Sequence, residues 1–134
     1  MTLAELNALA ECNHSIDRAL DARMASYARA GGVILEGRLA AFVANQEKVE
    51  ALKVWLTASD RVRAERVAGR EGTVVATSLE ENDARQRSDA RRYREIYGWN
   101  LDDTSIYDLI LNSDDLTPEA LAAAIEAAVG ARFP

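Results

Sequence analysis
The chain has 134 residues, 49% of them hydrophobic, and a formal net charge of −6. This length and composition fit one globular domain with a real core and exclude a disordered chain, while the acidic balance argues against general binding to nucleic acid or membrane surfaces. The lone Cys12 excludes an internal disulfide, and Cys12 with His14 supplies too few ligands for a zinc site.

Thr2 and Glu5 form a capping box before a Leu-rich helix over 2–12. The spacing of Ile16, Leu20, Met24 and Tyr27 predicts a second helix over 16–30, closed by Gly31 and Gly32. Val33–Ile34–Leu35 is a short continuous apolar run of the kind expected for a buried parallel strand. Glu36–Gly37–Arg38 follows at its carboxyl end, where open α/β sheets bind ligands. Leu39–Val43 reads as a helical turn or short helix.

Leu52–Leu56 is the next predicted strand. Ser59 or Asp60 caps a helix running to about Gly69. Gly69 and Gly72 bracket Arg70–Glu71, so the backbone can bend there. A long helix is predicted over 75–97, closing at Gly98. Helix, glycine bend and longer helix together read as a mobile lid over 61–98. Trp99–Ser105 is a loop, Tyr107–Leu111 the third strand, and Thr117, Pro118 and Glu119 open a final helix to about Val129. Three strands separated by helices give an α/β protein with a small parallel sheet flanked by helices, its edges exposed unless paired. There is no basic leader and no apolar run near the ~18 residues of a membrane span, so a cytoplasmic protein is expected.

The arginines are not spread evenly. Residues 61–94 hold nine of the fourteen, no lysine and six carboxylates, a local charge of +3 in a chain that is otherwise −9. Such an island points to a local anionic ligand, and arginine without lysine suits fork-like recognition of phosphate or carboxylate oxygens. On the long helix Arg85, Asp89 and Arg92 share one face at i, i+4 and i+7. Two guanidiniums flanking a carboxylate can hold phosphate oxygens and a sugar hydroxyl. An exposed salt-bridge helix, with pairs such as Glu81–Arg85 and Asp83–Arg87, accounts for the same spacing. Against it stands a second, like-charged row, Arg87, Arg91 and Arg94. Arg63, Arg66 and Arg70 share a face of the preceding helix. Trp55 and Trp99 read as packing residues rather than base-stacking platforms. Asp102–Asp103 and Asp114–Asp115 are explained by turns and helix starts, and His14 has no acid–base partner in view.

The ordered pieces Gly37–Arg38–Leu39–Ala40, Arg66 with Arg70–Glu71–Gly72, Arg92–Tyr93 with Tyr97–Gly98, and Tyr107–Asp108–Leu109 with Asn112 resemble the cytidylate kinases. The resemblance is especially to the archaeal-type members of the P-loop nucleoside monophosphate kinase family, from about Asp17 onward. The resemblance implies phosphoryl transfer from ATP to a nucleoside monophosphate, CMP or dCMP. It implies that Arg38 holds the acceptor nucleotide, Asp89 contacts its ribose, Arg85 and Arg92 bridge the transferring phosphates, and Arg66 and Arg70 are lid arginines near the ATP phosphates. Such chemistry needs positioning and charge neutralisation more than covalent help from protein.

One departure is large. The family's G-x-x-x-x-G-K-[ST] loop has no match, since the only lysines, Lys48 and Lys53, do not follow glycine. The chain is therefore expected to be a single cytidylate-kinase-like domain over 1–134 without the P-loop strand and helix. ATP and Mg²⁺ are expected only where that segment is supplied. A smaller departure is Gln86, where archaeal relatives carry glutamate. Three readings stay open: a kinase whose P-loop half comes from elsewhere, a non-catalytic nucleotide-binding or regulatory relative, and a structural protein that uses open strand edges to pair with itself or a partner.

Overall fold
A computed structural model describes residues 1–134. Its elements are α1 (Leu3–Cys12), α2 (Ser15–Ala30), α3 (Ala40–Gln46), β1 (Val54–Thr57), α4 (Asp60–Glu71), α5 (Val75–Tyr97), β2 (Leu109–Asn112) and α6 (Pro118–Arg132). They form two compact units, each built from two stretches of chain. The first comprises 1–51 and 84–106, the second 52–83 and 107–134.

In the first unit the chain start folds as its caps dictate. Thr2 Oγ1 accepts from the Glu5 N–H at 3.1 Å, and the Thr2 N–H donates back to the Glu5 carboxylate at 2.6 Å. Small residues let helices approach: Ala10 on α1, Ala25 and Ala28 on α2, and Ala41 and Ala44 on α3 are all buried. Phe42 and Val43 fill the space between. Trp99 stacks on Tyr97 with centroids 4.2 Å apart and meets Phe42 at 5.4 Å, so it serves as a packing residue.

The second unit is built on a two-stranded parallel sheet. Val54 pairs with Leu109, Trp55 with Ile110, Leu56 with Leu111 and Thr57 with Asn112. The Asp108 N–H donates to the Lys53 carbonyl and the Ser113 N–H to the Thr57 carbonyl, both at 2.7 Å, extending the ladder at each end. Trp55 packs against Tyr107 at 5.1 Å. Ser59 and Thr117 cap α4 and α6 through their hydroxyls.

Three expectations need correction. Val33–Leu35 is not a strand: it has no backbone ladder, and Ile34 is 97% exposed. Apolar content alone makes no strand where no neighbouring backbone takes up its N–H and C=O groups. The sheet therefore has two strands rather than three. Next, α4 runs through Gly69 and ends at Gly72, whose φ of 70° is the left-handed cap that glycine adopts freely. Finally, α6 continues past Gly130 to Arg132, because an interior glycine costs only ~1 kcal/mol and the helical hydrogen bonds continue to Phe133. No helix is long and apolar enough to cross a membrane.

Candidate functional site
The face predicted on α5 is real, and α2 completes it. Arg92 is only 5% exposed. Its Nε donates to Asp17 Oδ2 at 2.7 Å, its Nη2 to Asp89 Oδ1 at 3.1 Å, and its Nη1 to the Ser88 hydroxyl. Asp17 is buried and also accepts from the Tyr93 hydroxyl at 3.0 Å. Burial works against the Arg92 charge, but the hydrogen bond and charge of Asp17, with Asp89 beside it, outweigh this and raise its pKa. A guanidinium held so cannot turn freely, and its direction is set by two carboxylates from two helices.

Asp89 carries the relay outward. Its Oδ2 accepts from Arg38 Nη1 at 2.8 Å. Arg38 stands just before α3, in the turn that Gly37 opens with φ 153°. A Cβ at Gly37 would touch Met24 at 3.5 Å, so φ rather than space is what calls for glycine there. Arg85, one turn before Asp89 on α5, makes no direct ion pair. Burial lowers its pKa, the Arg38 charge pushes the same way, and Asp89 and Glu36 oppose them. Two guanidiniums close enough to repel, with one carboxylate between them, form a site that an anion relieves.

The face of Arg85, Asp89 and Arg92 expected on the long helix lies on α5, and the structure brings Arg38, expected apart from it, to Asp89. Sequence reasoning missed Asp17, Ser88 and Tyr93. The second like-charged row is also offset in part, since Arg91 pairs with Glu11 of α1 at 2.7 Å. His14 faces Glu95 at 3.4 Å.

Arg66 and Arg70 lie in the second unit. Arg66 Nη1 donates to the Ser113 hydroxyl at 2.9 Å and Nη2 to the Ser113 carbonyl at 2.6 Å. Ser113 in turn donates to the Thr57 carbonyl at 2.9 Å. The guanidinium is therefore fixed at the carboxyl ends of both strands while its charge meets no carboxylate. It lines a cavity of about 490 Å³ with Leu56, Ala58, Arg63, Ser113 and Leu116. Apolar walls with guanidiniums suit a flat, anionic ligand. Arg70 is largely exposed, 3.6 Å from Glu71. No group of three His, Cys, Asp or Glu side chains could hold a metal ion.

A family model described as the cytidylate kinase-like family matches residues 2–115. The cytidylate kinase of Methanopyrus kandleri is 45% identical over 94% of this chain and 71% of its own length. That of Pyrococcus horikoshii is 42% identical over 96% of this chain and 66% of its own. That of Natronomonas pharaonis is 41% identical over all of this chain and 69% of its own. The chain thus spans about two thirds of the length of the curated relatives it matches. No solved structure matches.

Proposed function
Because the chain belongs to the cytidylate kinase-like family, we propose that it is the acceptor-binding and lid portion of a kinase that transfers phosphoryl from ATP to CMP or dCMP when a P-loop segment is joined to it. The observation that carries this reading is the relay Arg38–Asp89–Arg92–Asp17, which holds two guanidiniums beside a carboxylate in fixed geometry. Arg38 and Arg85 take the acceptor phosphate. Asp89 exchanges Arg38 for a ribose hydroxyl. Arg92, oriented by Asp17, faces the charge that develops as the phosphoryl moves, which is where preorganised donors act. In the second unit Arg66, fixed on Ser113, and Arg70 take the ATP side. ATP supplies the phosphoryl group, and no lysine of this chain follows a glycine in the P-loop manner. This chain's own part is therefore to bind and orient.

A second reading is that the same acceptor-site geometry serves a nucleotide-binding module without turnover. Thermal melting with CMP, UMP, AMP or ATP tests both. A ligand at a hundredfold excess over Kd stabilises the fold by about 2.7 kcal/mol. A CMP shift supports the acceptor site, and no shift with any nucleotide refutes it. Turnover on adding a P-loop-bearing fragment then separates kinase from binding module.

A further inference from the structure
Arg92 Nε and Nη2 donate to Asp17 at 2.7 and 3.4 Å, Nη2 also to Asp89 at 3.1 Å, and Nη1 to Ser88. Four of the five guanidinium hydrogens are thereby used, and one on Nη1 is left. Ser88 stands one turn before Arg92 on α5 and is 6% exposed. Alanine would suit the helix better, and a serine inside a helix ordinarily returns its hydroxyl to the carbonyl four residues back. Here the hydroxyl serves other partners. It accepts from Arg92, and its proton goes to the Glu11 carboxylate of α1. That bond is the chief reason the Glu11 carboxyl lies below its usual range. Glu11 also accepts from Arg91 Nη2 at 2.7 Å.

A hydroxyl is the acceptor that Nη1 needs. Asp17 and Asp89 already match the Arg92 charge, so a third carboxylate would leave buried negative charge in excess. Alanine would leave the Nη1 hydrogens without a fixed partner. A hydroxyl takes one hydrogen without adding charge, provided its own proton points elsewhere. Glu11 supplies that direction. We propose that Ser88, set by Glu11, is a positioning residue for Arg92: it holds one Nη1 hydrogen so that the other is presented to a phosphate oxygen, and it ties the placement of α1 to the aim of that arginine. The presentation to phosphate rests on the acceptor-site reading above, whereas the orientation of Arg92 stands apart from it.

The test is arginine side-chain NMR on the intact chain, joined to calorimetric titration with CMP. In wild type the two Arg92 Nη1 hydrogens are expected as separate signals, because the bond to Ser88 slows their rotation. Ser88→Ala should merge them while the Nε signal, held by Asp17, stays in place. The same variant should weaken CMP about tenfold, the scale of a buried donor left unpaired. Glu11→Ala should also merge the Nη1 signals, and Glu11→Gln, which keeps an oxygen for the hydroxyl, should restore them. Arg91→Ala removes the other partner of Glu11 and leaves Ser88 alone, so it should keep the signals separate and CMP affinity within about twofold. Merged signals in wild type overturn the inference. So do separate ones in Ser88→Ala, or in Glu11→Ala should the first variant not fold. An equal effect of Arg91→Ala also overturns it, since simple docking of α1 would give that result. Merged signals in Ser88→Ala with CMP affinity unmoved overturn its phosphate half. If wild type binds no CMP, the acceptor-site reading falls, and the NMR signals decide whether Ser88 and Glu11 orient Arg92.

Discussion
The arginines of the two units are the same residue under opposite conditions. In the first unit Arg92 is buried between Asp17 and Asp89, its charge matched before any ligand arrives. In the second, Arg66 is fixed by the neutral hydroxyl and carbonyl of Ser113, and its charge stays unmatched. The first arrangement sets direction at the cost of desolvating both partners, and holds only while every member is present. The second costs little to make and leaves field for an anion. An arginine-rich sequence therefore contains two devices, one to aim and one to attract, told apart only by what the guanidinium donates to.

Removing Arg92 should break this comparison most sharply. Arg92→Ala leaves Asp17 and Asp89 facing each other's charge in a buried site, and a loss of about 3–5 kcal/mol in urea unfolding is expected. Exposed Arg94→Ala should stay within about 0.5 kcal/mol and weaken CMP binding far less. Equal effects would show that the wrong face of α5 had been assigned. Arg66→Ala is expected to cost only about 1 kcal/mol, the worth of its bonds to Ser113, while reducing the ATP-induced rise in melting temperature. A stability loss as large as that of Arg92 would dissolve the distinction between the two devices.

Asp21 sharpens it from the acidic side. Its folded pKa lies above the 3.8 of an ordinary aspartate, chiefly through burial. The folded state thus keeps a proton that the unfolded chain releases in that window. Stability falls as pH rises from about 3.8 through the raised value, and stays lower above it. Asp21→Asn should abolish that part of the pH dependence and stabilise the free chain at pH 7 by about 1 kcal/mol. Melting curves from pH 4 to 8 check both, and an identical profile for the variant would refute the assignment. Tyr97, whose pKa is pushed up to about 12 by burial and by Asp21, should remain protonated where a free phenol titrates. Its ultraviolet titration between pH 9 and 11 should be missing. The smallest effect belongs to Arg70→Ala, expected within about 0.5 kcal/mol because its pair with Glu71 is exposed.

Local signals in the sequence carried the helices well. The bounds of α5 followed from its length and the closing Gly98, and Thr2–Glu5 and Thr117–Pro118–Glu119 gave their caps without reference to distant residues. Local signals also placed Arg85, Asp89 and Arg92 on one face. They failed where the partner is far along the chain. The local sequence gives Asp17 no role; the bond from Arg92, 75 residues later, reveals it as an interior group. Val33–Leu35 failed the other way: its apolar run satisfies a local rule, yet strandhood depends on a second backbone.

The interleaving of the two units has a consequence for how the protein comes into being. Val54 waits for Leu109 and Asp17 for Arg92, so each unit closes only after chain belonging to the other has been made. Neither can be excised as one contiguous fragment. During synthesis no native sheet and no buried relay exists until most of the chain has emerged, and such long loop closures slow folding. Nascent chains arrested before residue 84 are therefore expected to be protease-sensitive throughout, and stable protection of residues 1–51 at that length would disprove this order of events.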